Sequence, residues 1–173
     1  MGLCRAGLYM LGFVCAWPSD FGGAFEWRPA LVLATHALGL LSYVAGLSLT
    51  ARYESMPHPP AGRKRFARIL LWLPLIAMAA WWVDDQPWAS GLALIPFILW
   101  LGWSLARLRQ SVPKLVSAML AGIPLVDFMA AAPLAMGWLN SAATPAGTAI
   151  GLMMVPIAAW LLGLALQKIA SAT

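Results

Sequence analysis

Residues 146–166 read AGTAIGLMMVPIAAWLLGLAL, and no charged side chain interrupts them. A helix needs about 20 mainly apolar residues to cross the roughly 30 Å hydrocarbon core of a bilayer, at about 1.5 Å rise per residue. A helix on the surface of a water-soluble domain keeps a polar stripe. Apart from the indole of Trp160, this run offers only the Thr148 hydroxyl. It therefore reads as a transmembrane helix, and the rest of the chain is read outward from it.

Five further apolar segments precede it, at residues 3–17, 29–50, 69–83, 88–106 and 115–138, the first and third of them short. The 173 residues are 62% hydrophobic and 10% charged, with a mean hydropathy of +0.80. An ordinary soluble domain has about 25% charged residues. So few charges could not cover the apolar surface of a water-soluble fold of this size. The expected fold is all-α: a polytopic transmembrane bundle of about six helices, with residues 1–173 forming one domain. No internal repeat or flexible linker divides the chain.

Charge placement supports this count. Of the 11 Lys and Arg residues, Arg5, Arg52, Arg63, Lys64, Arg65, Arg68, Arg107, Arg109, Lys114 and Lys168 fall on one side of the six-helix topology. Only Arg28 falls on the other side, where Asp20, Glu26, Asp84 and Asp85 collect. The positive-inside rule then places both termini, with the loops at 51–68 and 107–114, in the cytoplasm, in a chain integral to the inner membrane. Omitting the first segment changes no other loop assignment. That segment lacks a small-x-small site before Pro18, because Cys15-Ala16-Trp17 ends in a bulky ring, so it is expected to be retained rather than cleaved as a signal peptide. Cys4 and Cys15, on one helix, would lie about 16 Å apart and could not bridge.

The formal charge of +5 does not indicate nucleic acid, since the basic residues sit in short loops between apolar runs and no basic, aromatic-interleaved arm is present. The expected surrounding partner is the lipid bilayer. Trp17, Trp27, Trp81, Trp82, Trp88 and Trp138 fall near the outer boundary, while Trp100 and Trp103 approach the inner one. Indoles collect at the headgroup level; an aromatic ligand box is the other reading. Thr35, Gly39, Ser42, Gly46 and Thr50 recur at helical intervals along the second segment. Small residues at that period let a neighbouring helix come close.

An ionisable group in a membrane core is a candidate functional residue. His36 and Asp127 qualify, and both lie roughly 10–12 Å from the outer boundary when counted along their helices. They could pair with each other. Equally, Asp127 could be protonated or accept from backbone groups loosened near Pro124, and His36 could be a satisfied packing residue. A third polar region, Arg52, Glu54, His58, Arg63, Lys64 and Arg65, follows the second segment. It reads either as a topology signal attracted to anionic headgroups or as a site for a phosphorylated substrate, whose oxygens Arg and Lys match. Glycine-rich phosphate loops, Ser/His/Asp sets and zinc-type spacings are missing from the sequence.

The stretch from Tyr43 through Val44, Ala45, Gly46, Leu47, Ser48, Leu49, Thr50, Ala51, Arg52 and Tyr53 to Glu54 resembles a helix end and cytoplasmic loop in the C-terminal half of divergent UbiA-type prenyltransferases. The resemblance implies a transferase that ionises a prenyl diphosphate and alkylates an acceptor. Members of that family hold Mg²⁺ against the diphosphate with two acidic clusters, because metal ions stabilise the charge on so anionic a leaving group. Mapped here, the resemblance implies Glu54 as a metal ligand and Arg52, Glu54, Arg63 and Lys64 as substrate-binding residues. The first acidic cluster of the family is not in this sequence. At the position of the second, Thr50, Glu54 and His58 keep the four-residue spacing but only Glu54 keeps a carboxylate. Two expectations follow. One is a UbiA-like fragment, incomplete alone and active with a separate N-terminal half or as a homo-oligomer. The other is a non-enzymatic membrane scaffold or accessory subunit.

Overall fold

A computed structural model describes Gly7 and residues 27–53, 61–79, 87–108, 111–140 and 145–170. The expected first helix at 3–17 lies outside the described residues apart from Gly7. Among the described residues every ordered element is a helix: α1 (Trp27–Arg52), α2 (Ala61–Ala79), α3 (Pro87–Arg107), α4 (Val112–Ala121), α5 (Ile123–Asn140) and α6 (Ala146–Ala170). The chain is all-α. Among the described residues four stretches are long and apolar enough to cross a membrane: Ala34–Arg52, Ser90–Arg107, Val112–Gly137 and Ala146–Lys168.

Two boundaries differ from expectation. Residues 61–68, assigned by hydropathy to a loop, form the first two turns of α2. Ala, Arg and Lys are good helix formers, so the helix runs on through charges that end the apolar segment. The segment at 115–138 is not one continuous helix but breaks at Gly122 into α4 and α5. Pro124 has no N–H to give to the carbonyl of Leu120, four residues back. The Gly122 N–H keeps its helical bond to Ala118 O (3.1 Å) and shares it with Met119 O (3.0 Å), and Leu125 N–H closes onto Gly122 O, three residues back, at 3.0 Å. Pro124 thus occupies the first turn of α5, where its missing donor costs little. Pro74, Pro96, Pro133 and Pro156 do fall inside helices, in α2, α3, α5 and α6.

The hairpin of α1 and α2 is built on glycine. A Cβ added to Gly46 would lie 2.8 Å from Ala67 O and 3.0 Å from Leu70 Cβ and Leu71 Cγ; one added to Gly39 would lie 3.0 Å from Ala77 Cβ and 3.3 Å from Pro74 Cα. Residue 46 meets 67–71 while residue 39 meets 74–77, so the two helices run antiparallel. The small-residue face of α1 is this seam. Its hydroxyls turn back on their own helix, Ser42 Oγ donating to Gly39 O (2.7 Å) and Thr50 Oγ1 to Gly46 O (2.8 Å).

One buried cluster joins Leu40, Tyr43 and Leu47 of α1, Leu71 of α2, Phe97 and Leu101 of α3, Leu115 and Met119 of α4, and Leu125, Val126 and Met129 of α5. A smaller one joins Ala93 of α3 with Phe128 and Ala132 of α5, covered by Met153 and Ile157 of α6. Outside these clusters large apolar side chains are exposed on every rod, among them Leu38, Ile76, Leu99, Leu120 and Leu162. Only 6% of the Ala146–Lys168 stretch is buried, although its hydropathy, at 2.2, is the highest of the four. A helix hydrophobic all round with a bare outer face fits a lipid solvent, and these helices indicate membrane association.

Candidate functional site

The break between α4 and α5 gathers side chains from three other helices. Tyr43 Oη of α1 donates to Met119 O at 2.8 Å, Trp100 Nε1 of α3 donates to Ala118 O at 3.0 Å, and Gln167 Nε2 of α6 donates to Ser117 O at 2.5 Å. Three consecutive carbonyls of α4 therefore each receive a donor from a different helix. Gly122 lets them approach: a Cβ there would lie 2.8 Å from Tyr43 Oη and 3.0 Å from Trp100 Cδ1 and Nε1. Tyr43 is fully buried and meets Phe97 edge-on, with ring centroids 5.6 Å apart. Trp100 stacks on Trp103 (5.3 Å) and meets Trp160 edge-on (5.4 Å). In lipid, where apolar burial between helices gives little driving force, close packing and interhelical hydrogen bonds carry association. This junction is therefore a clamp that fixes α1, α3 and α6 around the broken helix.

The turn from α3 to α4, with Gln167 facing Ser117 and Gly163 facing Ala121, sets α4 antiparallel to α3 and α6, so Arg107, Lys114 and Lys168 share an end. Because α2 is antiparallel to α1, Arg63, Lys64, Arg65 and Arg68 lie at the Arg52 end of the hairpin. All eight are exposed. Arg52, Arg63 and Lys64 are brought together there by the hairpin, whereas Glu54 and His58 lie outside the described residues.

His36 is buried on the face of α1 that carries Leu40 and Tyr43, four and seven residues on. Asp127 is half-buried on α5, between Val126 of the larger cluster and Phe128 of the smaller. Neither is without a partner, and α1 and α5 touch. Two other polar atoms are enclosed with no hydrogen-bond partner among the described residues, Ser104 Oγ on α3 and Trp160 Nε1 on α6.

Glu54, the residue expected to hold Mg²⁺, lies outside the described residues; it supplies one carboxylate where hard Mg²⁺ favours several oxygen ligands. No group of three or more His, Cys, Asp or Glu side chains gathers among the described residues. Of the groups that organise the junction, Gly122, Trp100 and Gln167 were not singled out by sequence for this role, and Tyr43 only as part of a resemblance. The available signal was the Gly122-Ile123-Pro124 step in the middle of an otherwise apolar run. No family profile, curated protein or solved structure matches the chain.

Proposed function

We propose that this chain is a polytopic inner-membrane protein of about six transmembrane helices, with its cationic helix ends and both termini in the cytoplasm. We further propose that it carries the C-terminal-half helices of a UbiA-type prenyltransferase. The observation that supports a substrate site is the meeting of Arg52, Arg63 and Lys64 at the end of the α1–α2 hairpin, directly beside the stretch that bears the resemblance. Guanidinium and ammonium groups at the membrane surface suit a prenyl diphosphate, whose charged head stays in the interface while its chain enters the apolar bundle. Mg²⁺ enters this reading only with carboxylates from helices other than those described, Glu54 adding one ligand.

The test is prenyl transfer by the chain reconstituted in liposomes with helices that carry the first acidic cluster. Glu54→Gln should abolish transfer, and Arg63→Gln with Lys64→Gln should raise the KM for the diphosphate more than tenfold. Unchanged turnover in both would refute the reading. A second reading, a non-enzymatic scaffold or accessory subunit, draws support from how the polar groups of the helices are used. Ser42 and Thr50 bond their own helix, and Tyr43, Trp100 and Gln167 bond α4, all in packing roles.

A further inference from the structure

The break between α4 and α5 withdraws a donor from a buried carbonyl. In a continuous helix the Leu125 N–H would bond Ala121 O, four residues back. Here it bonds Gly122 O instead, at 3.0 Å. Ala121 is buried, and a buried backbone group left unpaired is costly, most of all in a membrane, where ordered water and side chains take over what a break releases. The clamp serves the carbonyls of Ser117, Ala118 and Met119 directly, but not this one.

Two contacts fix how α6 lies along the same row of carbonyls. Gln167 Nε2 donates to Ser117 O at 2.5 Å, and a Cβ on Gly163 would stand 3.8 Å from Ala121 Cα and Cβ. Residue 167 meets 117 and residue 163 meets 121, so Trp160, three residues before Gly163, stands at the level of Ile123 and Pro124. Trp160 and Gln167 are seven residues apart and share a face of α6; Ser117 and Ala121 are four apart and share a face of α4. The ring contacts place Trp160 independently. Its ring lies 5.4 Å from that of Trp100, and Trp100 Nε1 stands 3.0 Å from where a Gly122 Cβ would be. Trp160 Nε1 is thus a donor held at the break, enclosed and with no hydrogen-bond partner among the described residues.

The spacing leaves room for one molecule between this donor and Ala121 O. Along the axis Trp160 and Gln167 are about 10.5 Å apart, and Ser117 and Ala121 about 6 Å apart. With Gln167 bonded to Ser117 O, the difference of about 4.5 Å separates the second donor from the second acceptor. That is too long for a direct hydrogen bond and is the span of two bonds of about 2.8 Å meeting at an angle, as at a bridging water. Gly163 supplies the space: a methyl would fit there at ordinary contact distance from Ala121, and a water is of similar size.

We propose that one water molecule is bound at the break, accepting from Trp160 Nε1 and donating to Ala121 O, with residue 163 kept small to admit it. Trp160 is then the fourth side chain of the clamp, serving through water the carbonyl that the break deprives of its donor. The occupant is water rather than a larger polar ligand because the donor is enclosed and the space is that of one methyl group. The inference rests on the helix break and not on the transferase reading.

The experiment is water-selective nuclear Overhauser spectroscopy of the full chain in detergent micelles, with isotope-labelled tryptophan. Trp160→Phe assigns the Trp160 indole by the resonance it removes. In wild type the Trp160 Nε1–H should show a cross-peak to water whose laboratory-frame and rotating-frame effects have opposite sign, the mark of a bound molecule rather than of hydrogen exchange. The Trp100 Nε1–H, bonded to Ala118 O, should show none. Gly163→Ala, whose methyl meets nothing closer than 3.8 Å, should fold, fill the space and remove the Trp160 cross-peak while the indole resonance itself remains. Should that variant not fold by circular dichroism, the wild-type spectrum decides alone. A Trp160 indole without the water cross-peak in wild type, an equal cross-peak at Trp100, or an undiminished one in folded Gly163→Ala would overturn the proposal.

Discussion

Gly46→Ala is the most informative single change in the hairpin, because general helix preference and local packing predict opposite outcomes. Alanine is favoured over glycine within a helix by about 1 kcal/mol, so on propensity alone the substitution stabilises α1. The new methyl, however, would stand 2.8 Å from Ala67 O and 3.0 Å from both Leu70 Cβ and Leu71 Cγ. Carbon atoms prefer separations of about 3.5–4.0 Å. The methyl therefore demands about 0.5 Å of extra space at three atoms, one of them backbone and another a Cβ fixed to backbone. A side chain cannot rotate away to provide it, so α2 must retreat. A gap of that size forfeits roughly a quarter to a half of the dispersion well at each contact along the seam, and overpacking of this kind costs about 1–3 kcal/mol. With the alanine gain subtracted and the rigid neighbours placing the cost in the upper part of that range, Gly46→Ala should destabilise by about 1–2 kcal/mol.

Gly151→Ala on α6 supplies the control, since a Cβ there meets nothing within 4 Å. It should be neutral or stabilising by up to about 1 kcal/mol. The assay is unfolding of the purified chain in mixed micelles by increasing sodium dodecyl sulfate, followed by circular dichroism, with the two variants measured side by side. A difference of about 1–3 kcal/mol in the predicted direction supports a glycine-dependent hairpin. Equal stability of the two variants, or a stabilised Gly46→Ala, would refute the close approach of α1 and α2.

Three further outcomes are expected. Tyr43→Phe removes the donor to Met119 O and should cost about 0.6–1.7 kcal/mol, the range for interhelical hydrogen bonds in membrane bundles. Gly122→Ala places a methyl 2.8 Å from the Tyr43 hydroxyl and should cost more in wild type than in the Tyr43→Phe background; strict additivity in the same unfolding assay would separate the two residues. If His36 and Asp127 pair, His36→Ala and Asp127→Ala should each destabilise and the double variant should cost less than their sum, whereas an additive double would reject the pairing.

Much of the architecture is legible in the sequence because lipid imposes a simple requirement: a spanning helix must be apolar along a fixed length. That requirement alone identifies the runs that become α1, α3, the α4–α5 pair and α6, and the recurrence of Gly39 and Gly46 identifies the seam. It fails at α2, where hydropathy detects the loss of apolar side chains at Arg68 but not the persistence of helical backbone back to Ala61. Apolarity and helicity are separate properties, and Arg and Lys have the second without the first. The clamp is less legible still. Tyr43 and Met119 are 76 residues apart, and nothing periodic in either segment selects that pairing. Proline 124 announces a lost hydrogen bond; which side chains replace its order depends on how the rods pack. The acidic position at Glu54 was visible only through resemblance, since a lone carboxylate beside arginines has no spacing of its own to read.

Omitting residues 3–17 changes no other loop assignment when the cations are read from sequence, because the positive-inside rule orients the remaining spans by themselves. The contacts add an independent tie among some of these cations. Gly39 and Gly46 fix α2 antiparallel to α1, and the bonds from Tyr43, Trp100 and Gln167 hold α1, α3 and α6 to one turn of α4. The turn from α3 to α4 and the facing of Gln167 with Ser117 and of Gly163 with Ala121 bring Arg107, Lys114 and Lys168 to one end, whether or not residues 3–17 cross the membrane. A single reporter fused after Ala170 therefore reads the side for these three at once. Positively charged flanks are retained on the cytoplasmic side, so an alkaline phosphatase fusion there should be inactive and a green fluorescent protein fusion bright. Active phosphatase at that position would put this end of α3, α4 and α6 on the outer surface.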